Sequence, residues 1–169
     1  IENAIGGFGS DHIYGNSAFN VVTGGFGDDT IDGGAGLDVA VFSGSRDGYT
    51  ITTVNSTPVE VIGRDGHDAL VDVERVAFTD AILAFDINGN AGQAYRIYQA
   101  AFDRQPDKGG LGFWVSALDS GQGDLDWAAA NFINSNEFRA TYGQPGAVSN
   151  EQFLTLLYAN VLDRLPDQG

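Results

Sequence analysis

A nine-residue period governs residues 6–41. Read in nines from Gly6, the segment is GGFGSDHIY, GNSAFNVVT, GGFGDDTID and GGAGLDVAV, without a gap. Glycine stands at position one of every repeat, and position eight is apolar, at Ile13, Val22, Ile31 and Ala40. Position six is occupied by Asp11, Asn20, Asp29 and Asp38. A flexible linker has no reason to keep such a period, so the segment is predicted to form successive turns of a periodic fold.

Other functions of a glycine-rich loop are disfavoured. No Gly-Lys-Ser/Thr follows the glycines, and no G-x-G-x-x-G opens a helix between strands, which disfavours a phosphate loop. The net charge is −15, from 23 acidic and 8 basic residues, so we expect no binding to nucleic acid. The chain has no cysteine, which excludes disulfides and thiolate metal sites. Its apolar runs, such as AILAF, are too short for membrane insertion.

The repeat resembles the RTX, or haemolysin-type, nonapeptide G-G-x-G-x-D-x-U-x, a calcium-binding β-helix repeat. In that family six residues make a turn and three make a short strand, so two nonapeptides complete one coil and residues eighteen apart are stacked. The resemblance implies a parallel β-roll in which Asp11 lies over Asp29 and Asn20 lies over Asp38. It also implies calcium ions as the cofactor.

Electrostatics favours a divalent cation between the stacked aspartates. Strands in a sheet are about 4.8 Å apart, and two bare carboxylates at that distance repel by about 3 kcal/mol at an effective dielectric constant near 20. Calcium accepts carboxylate and carbonyl oxygens in a flexible geometry, whereas magnesium requires a tight octahedron and fits less well. The alternative is a glycine-rich β-solenoid whose aspartates form only Asx turns.

The predicted calcium ligands are the position-six side chains and residues of the adjoining turns. The site between Asp11 and Asp29 is expected to be the stronger one. The site between Asn20 and Asp38 is expected to be weaker, because the second repeat departs from the pattern, with Asn16 and Ala18 in place of glycine. The complete set of predicted metal-site residues is Asp11, Asp29, Asn20, Asp38, Gly6, Phe8, Gly9, Gly24, Gly25, Gly27, Asp28, Gly33, Asp65 and Asp68.

Residues 45–88 are predicted to form a cap of short antiparallel strands packed on the roll. The preceding strand, VAVF, is apolar on both faces and needs cover on both. YTITTV, VEVI and RVAF are strand-like and are separated by turns. Within the cap, GRDGHDALV at 63–71 again fits the nonapeptide, three residues out of phase. It is either a single repeat turn stacked on the roll, with Asp65 and Asp68 holding another calcium ion, or an ordinary Asp-Gly turn.

Residues 89–169 are predicted to form an all-α domain. Alanine, leucine and aromatic residues recur here at spacings of three and four, which predicts helices over 92–104, 110–120, 126–134 and 150–163. Asp107 and Asp124 are predicted N-caps. Ser149 and Gln152 are predicted to form a capping box.

The helical half has its own repeat, with a period of sixty residues. RIYQAAFDRQPDKG, which ends at Gly109, aligns with TLLYANVLDRLPDQG, which ends at Gly169. The second copy stops where its next helix is due, so we expect the chain to belong to a longer parent protein. The segment Tyr98–Trp114, with the pattern Y-x5-R-x-P-D-x-x-G-L-x-F-W, and NSNEF at 134–138 resemble a domain-of-unknown-function family of bacterial helical domains that often follow haemolysin-type repeats.

The D-R-x-P-D turn of this repeat is predicted to be structural. Pro106 ends one helix, Asp107 caps the next, and Arg104 can reach helix carbonyls or a carboxylate. An arginine-centred ligand site is the alternative. The large aromatic residues are predicted to pack between helices rather than to form a ligand platform; they are Trp114, Trp127, Phe113 and Phe132.

No catalytic constellation is evident in the sequence. His12 lies at an outward strand position and His67 in a turn, and neither H-E-x-x-H nor G-x-S-x-G is present. We therefore expect a protein that is not an enzyme. The predicted fold class is α+β in two parts, with a parallel β-roll at 1–44, a β-rich cap at 45–88 and a helical domain at 89–169.

The expected function is a calcium-binding structural module of a large secreted or cell-surface protein that folds on calcium outside the cell. The RTX resemblance implies type I secretion by a Gram-negative bacterium. One alternative is a C-terminal accessory and secretion module of an extracellular hydrolase, such as a metalloprotease or a polysaccharide lyase. Another is that the helical half binds a peptide, a glycan or a second copy of itself.

Overall fold

The computed structural model describes residues 2–143, 146–147, 149–162 and 164–166. The chain forms two compact units, Ile1–Asp86 and Ile87–Gly169. The first unit is built of strands and the second of helices. This division falls close to the boundary that the sequence predicts at residue 88.

The described part of the first unit contains ten strands and one 3₁₀ turn, Arg46–Gly48. The strands are β1 (Asn3–Ile5), β2 (His12–Asn16), β3 (Asn20–Thr23), β4 (Thr30–Gly34), β5 (Asp38–Val41), β6 (Thr50–Val54), β7 (Thr57–Gly63), β8 (Gly66–Val71), β9 (Arg75–Ala77) and β10 (Ile82–Ala84). They form two five-stranded sheets, in the orders β1-β3-β5-β9-β10 and β2-β4-β8-β7-β6.

Strands β1 to β5 alternate between the two sheets and pair in parallel with the next strand of their own sheet. Ile13 of β2 lies opposite Ile31 of β4, and Val22 of β3 lies opposite Ala40 of β5. We call residues 6–23 the first coil and residues 24–41 the second coil. The stacking of residues eighteen apart, expected from the repeat, is present in both sheets.

The core of the first unit lies between the sheets and is built on position eight of the repeats. Val22, Ile31 and Ala40 are buried, and the half-buried Ile13 packs against them. A strand places alternate side chains on opposite faces, so a single apolar residue in each three-residue strand is enough to face this core. The same face continues into β8 and β9 through buried Leu70 and Val76.

The strands of the predicted cap differ from a purely antiparallel layer. β6, β7 and β8 pair antiparallel, and so do β9 and β10. However, β8 also pairs in parallel with β4, and β9 pairs in parallel with β5. The segment therefore extends both sheets rather than covering them. The reason is that GRDGHDALV keeps the spacing of a repeat, so its turn and strand stack on those of the second coil.

An aromatic cluster fills the space beneath the β6–β7 hairpin. The rings of Phe42, Tyr49 and Phe78 have centroids 5.0 to 5.7 Å apart, and all three are buried. Val61 of β7 and Val73 belong to the same core. Phe42, the last residue of the apolar VAVF run, is thus buried by residues that follow it in the chain.

The described part of the second unit contains five α-helices. They are α1 (Asn90–Phe102), α2 (Lys108–Asp119), α3 (Leu125–Ile133), α4 (Asn136–Tyr142) and α5 (Asn150–Leu162). α1 packs against each of the other four. The four helices predicted from the sequence are present, and α4 is an addition. Asp163, the last residue of the predicted fourth helix, lies outside the described residues. None of the described helices has the length and apolar character needed to cross a membrane.

The predicted helix caps are confirmed. The side chain of Asp107 accepts a hydrogen bond from the N–H of Gly110, and that of Asp124 accepts one from Trp127. The capping box is present, because the Ser149 N–H donates to Gln152 Oε1 and the Gln152 N–H donates to Ser149 Oγ. These caps satisfy N–H groups that have no partner inside a helix.

The sixty-residue repeat is visible in matching contacts. Arg104 lies over the Tyr98 ring at 5.3 Å and donates to the carbonyl of the next residue over 3.0 Å. Arg164 lies over the Tyr158 ring at 5.1 Å and donates to the carbonyl of the next residue over 3.2 Å. Arg104 also forms a two-pronged ion pair with Glu137 of NSNEF, at 2.7 and 2.9 Å. The repeat positions that correspond to Asp103, Asp107 and Gly109 in the second copy lie outside the described residues.

The aromatic residues of the helical unit mainly pack between helices, as predicted. Trp114 contacts Trp127 and Phe132, with ring centroids 5.4 and 4.8 Å apart. Phe132 is buried. Phe113 is the exception, because its side chain is 55% exposed.

Candidate metal centre

Acidic side chains of three successive turns are hydrogen-bonded into a column. The N–H of Asp11 donates to Asp29 Oδ1 over 2.8 Å, and the N–H of Asp29 donates to Asp68 Oδ1 over 2.9 Å. Asp29 and Asp68 are each 2% exposed. We call Asp11, Asp29 and Asp68 the first column. The structure thus brings the predicted pair together and places the out-of-phase segment 63–71 as a stacked repeat turn.

A second column lies on the other side of the coils. The N–H of Asn20 donates to Asp38 Oδ1 over 2.8 Å, and the N–H of Asp38 donates to Glu74 Oε2 over 2.8 Å. Asn20 and Asp38 are each 1% exposed. We call Asn20, Asp38 and Glu74 the second column. Its first two members were predicted, and Glu74 was not.

The position-one glycines leave space beside these columns. A methyl group on Gly6 would lie 2.7 Å from Asp11 Oδ2 and would overlap the carbonyl oxygen of Gly24 in the next coil. The same arrangement, a position-six side chain beside a carbonyl of the next coil, recurs at Gly15. Glycine at position one is therefore needed so that side-chain and carbonyl oxygens can approach one another.

Two carboxylate oxygens in the columns are buried without a hydrogen-bond partner. They are Asp29 Oδ2 and Asp38 Oδ2. A buried charged oxygen without a partner is strongly destabilising unless a cation compensates it. Calcium binds to carboxylate and backbone carbonyl oxygens, which are the groups found here. The residues of the columns therefore fit a calcium ion.

The charged forms of three column carboxylates, Asp68, Asp38 and Glu74, are disfavoured by their surroundings. Burial raises the pKa of Asp68 to about 6, and the negative charges of Asp29, Asp65 and Asp28 act in the same direction. Burial also raises the pKa of Asp38 and that of Glu74, against the effect of their backbone hydrogen bonds. A cation in the columns would remove this penalty.

Asp65 has a different role from that of Asp68. Its carboxylate accepts hydrogen bonds from the Ser43 N–H over 2.7 Å, from the Ser43 hydroxyl and from the Tyr49 hydroxyl over 2.7 Å. Burial opposes ionisation of Asp65, but these hydrogen bonds outweigh it and lower its pKa. Both oxygens of Asp65 are thus engaged with protein groups, so its side chain anchors the aromatic cluster.

The other predicted metal-site residues lie in the turns around the first column. Asp28 is exposed and its carboxylate accepts the His67 N–H over 2.9 Å. Phe8 is 87% exposed and stacks on Phe26 at 5.7 Å. Gly27, with φ at 126°, lies against Gly9 of the coil before it. Gly24 and Gly25 lie in the same turns, whereas Gly33 lies beside the second column.

Glu74 was missed because its turn does not have the nonapeptide spacing. Only three residues, 72–74, connect β8 to β9. A signal was nevertheless present, since Glu74 stands directly before the strand RVAF as Asp38 stands directly before VAVF. Within the described residues, no three histidine, aspartate or glutamate side chains converge as a metal-binding group, so backbone carbonyl oxygens are needed beside the carboxylates at each calcium site.

Two regions of the chain match known protein families. Residues 5–40 match the RTX calcium-binding nonapeptide repeat, in four copies. Residues 129–169 match DUF4214, a domain of unknown function. This second match includes NSNEF and the second copy of the internal repeat, and the segment Tyr98–Trp114 precedes it.

Among solved structures, the crystal structure of extracellular lipase LipA from Serratia marcescens is similar to part of this chain. The similarity covers 44% of the chain at 17% identity, with a TM-score of 0.25. The chain spans 14% of the length of that lipase. No curated protein sequence matches the chain. Four column residues lie inside the matched repeats: Asp11, Asn20, Asp29 and Asp38. The chain therefore carries RTX calcium-binding nonapeptide repeats, whose ion is calcium, followed by a DUF4214 domain.

Proposed function

We propose that the parallel-paired strands β1 to β5, β8 and β9 form a calcium-binding β-roll and that the chain is a non-catalytic structural module of a secreted bacterial protein. The observation that carries this proposal is the pair of buried, unpartnered oxygens, Asp29 Oδ2 and Asp38 Oδ2, inside the matched repeats. Parallel pairing of β1 to β5 in two sheets supports the roll. Calcium is the natural partner of such oxygens.

The first column would bind calcium between Asp11 and Asp29 and again between Asp29 and Asp68. Carbonyl oxygens of the glycine turns, such as that of Gly24, would complete the ligand set. A site between Asn20 and Asp38 would bind more weakly, because the amide of Asn20 brings no charge. Asp65 is left out of this set, since Ser43 and Tyr49 occupy its carboxylate.

Calcium binding would couple folding to the extracellular environment. Without the cation, buried carboxylates repel one another and disfavour the compact state. A ligand that binds only the folded state stabilises it, and structural metal sites contribute their binding energy to folding. Extracellular calcium modules bind at about 10⁻⁴ to 10⁻³ M, which matches a protein that folds after leaving a calcium-poor cytosol.

Calcium titration of the whole chain tests the proposal. Starting from an EGTA-treated sample, added calcium is expected to increase the β-strand signal in far-UV circular dichroism and to raise the melting temperature. Magnesium at the same concentration is expected to have a much smaller effect, because it requires a tight octahedron. Identical spectra and identical melting temperatures in calcium and in EGTA would refute the proposal.

We propose a structural role for the helical unit as well. The residues that define its repeat contact each other: Arg104 lies over Tyr98, pairs with Glu137, and is followed by the N-cap Asp107. An arginine that satisfies a carboxylate, an aromatic face and a carbonyl at once has few donors left for a ligand. This favours a scaffold over an arginine-centred binding site.

A further inference from the structure

In the second column, Glu74 lies where a nonapeptide repeat has its position-six aspartate. It is the last residue of the three-residue connection 72–74. Val39 lies opposite Arg75 in the β5–β9 pair, so Glu74 is in register with Asp38. The N–H of Asp38 donates to Glu74 Oε2, as the N–H of Asn20 donates to Asp38 Oδ1 one coil earlier.

The carboxylate of Asp38 presents its two oxygens to different neighbours. Oδ1 accepts the N–H of Asn20 in the first coil. Oδ2 has no hydrogen-bond partner, although Asp38 is only 1% exposed. A methyl group on Gly33 would lie 2.8 Å from Asp38 Oδ2 and would overlap the carbonyl oxygen of Asp72. The unpartnered oxygen therefore lies on the same side of Gly33 as the Asp72 carbonyl.

The backbone of the turn supports the same conclusion. Asp72 has a φ of 48°, in the left-handed region, and its carbonyl lies against Gly33. This is the relation that the Gly24 carbonyl has to Gly6 in the first column. The Asp72 carbonyl oxygen and the unpartnered Asp38 Oδ2 thus both lie beside Gly33, and the Glu74 carboxylate is held nearby by the Asp38 N–H.

We infer that Asp38, the carbonyl of Asp72 and Glu74 form a further calcium site, outside the residues that match the nonapeptide repeats. It rests on the proposed function in so far as calcium is the ion of the columns. Its ligands are oxygens of the kind that calcium accepts, and water can supply the rest. The site ties the β8–β9 connection to the second coil.

Isothermal titration of the full chain with calcium chloride tests this site. Glu74→Gln keeps an oxygen that can accept the Asp38 N–H but removes the charge, and it is expected to lower the number of calcium ions bound per chain by one. Asp72→Asn is the matched control, because it removes a neighbouring charge and keeps the carbonyl. This control is expected to bind as many ions as the unaltered chain. An unchanged ion count in Glu74→Gln, or an equal loss in Asp72→Asn, would overturn the assignment.

A crystal structure of the unaltered chain grown in calcium gives an answer that does not depend on how the variants fold. An ion bound by Asp38, the Asp72 carbonyl and Glu74 is expected. Ions in the first column with none beside Glu74 would overturn this inference and leave the proposed function intact. No ion in either column would overturn both.

Discussion

At the residue scale, the two columns combine burial with negative charge. Asp29 and Asp68 are almost inaccessible to water. Each carboxylate accepts one hydrogen bond, from a backbone N–H to its Oδ1. Such an arrangement is unfavourable for the protein alone, because desolvation of a carboxylate exceeds what one hydrogen bond returns. The same carboxylates therefore have opposite effects on stability with and without calcium.

Asp29→Asn separates these two effects. The amide keeps the shape of the side chain and can still accept the Asp11 N–H, but it carries no charge. In EGTA the variant is expected to be more stable than the unaltered chain. In saturating calcium it is expected to be less stable and to bind calcium about tenfold more weakly, about 1.4 kcal/mol. Urea unfolding in each condition measures both signs. Asn20→Ala removes no charge and is expected to weaken calcium binding less, but it leaves the Asn16 N–H without its acceptor and lowers stability in both conditions.

The raised pKa of Asp68 predicts a pH dependence in the absence of calcium. Burial lifts this pKa to about 6, so the folded state holds a proton that the unfolded state has already lost. Stability from this group is then present at low pH and is lost as the pH rises through about 6. In a sample freed of calcium with a chelating resin, the strand unit is expected to unfold more easily at about pH 7.5 than at about pH 4.5, by on the order of 2 kcal/mol.

Asp68→Asn is the control for this pH dependence. The amide does not titrate, so the variant is expected to show a smaller difference between the two pH values. Thermal melts followed by circular dichroism give the comparison. Greater stability of the calcium-free unaltered chain at the higher pH would contradict the assigned cause.

At the scale of elements, the β9–β10 hairpin is held by a buried ion pair. Arg75 at the start of β9 and Asp86 just after β10 are 4% and 9% exposed, and Arg75 Nη2 lies 3.0 Å from Asp86 Oδ2. Arg75 also donates to the carbonyl of Glu74 over 3.3 Å. This pair fixes the end of the hairpin next to the second column.

Asp86→Asn is expected to lower the free energy of unfolding of the strand unit by about 3 to 5 kcal/mol, because it leaves the guanidinium of Arg75 buried without its counter-charge. Glu137→Gln removes one partner of the exposed pair with Arg104 and is expected to cost less than about 1 kcal/mol. Chemical denaturation in saturating calcium measures both. Equal costs for the two variants would show that burial of the hairpin pair adds nothing.

The sequence predicted the elements that repeat and missed those that depart from the repeat. The register of β1 to β5 and the buried position-eight side chains follow from a two-residue strand period and an eighteen-residue coil. The parallel pairing of β8 with β4 was one of two alternatives, because a hairpin of 50–63 interrupts the period. The link of Asp65 to Ser43 and Tyr49 joins residues distant in sequence, and local spacing does not report such contacts. Helix α4 is short, with only seven residues, and its N-cap Ser135 lies inside the NSNEF motif, so the spacing of apolar residues does not predict it.

At the scale of the whole molecule, the chemistry divides as the fold does. All members of the two columns lie in Ile1–Asp86, whereas Trp114 and Trp127, the two tryptophans of the chain, lie in Ile87–Gly169. The core of the helical unit consists of aromatic and aliphatic side chains. The described part of this unit contains no column of buried carboxylates. Calcium should therefore act on one unit and leave the other unchanged.

Tryptophan fluorescence of the full chain measures this independence. In EGTA the β-strand signal in circular dichroism is expected to decrease, while the emission maximum of Trp114 and Trp127 stays that of a folded helical unit. The half-buried Trp114 ring, packed on Phe132, would shift its emission if the helices unfolded. A red shift in EGTA that parallels the loss of strand signal would show that the helical unit depends on the calcium sites.

The two ends of the strand stack differ in whether a further parallel coil can be added directly to the ladders. β10 is hydrogen-bonded antiparallel to β9, and β7 is hydrogen-bonded antiparallel to β8, so both late edges of the parallel ladders are already occupied. At the other end, β1 and β2 are edge strands, with Ile5 and Tyr14 exposed there. Unpaired edge strands are templates for pairing with another chain or with another coil. The stack is thus polar in the way a filament is polar: a further coil can continue the parallel ladders at the β1–β2 end, whereas at the other end the edge strands β6 and β10 follow antiparallel pairings.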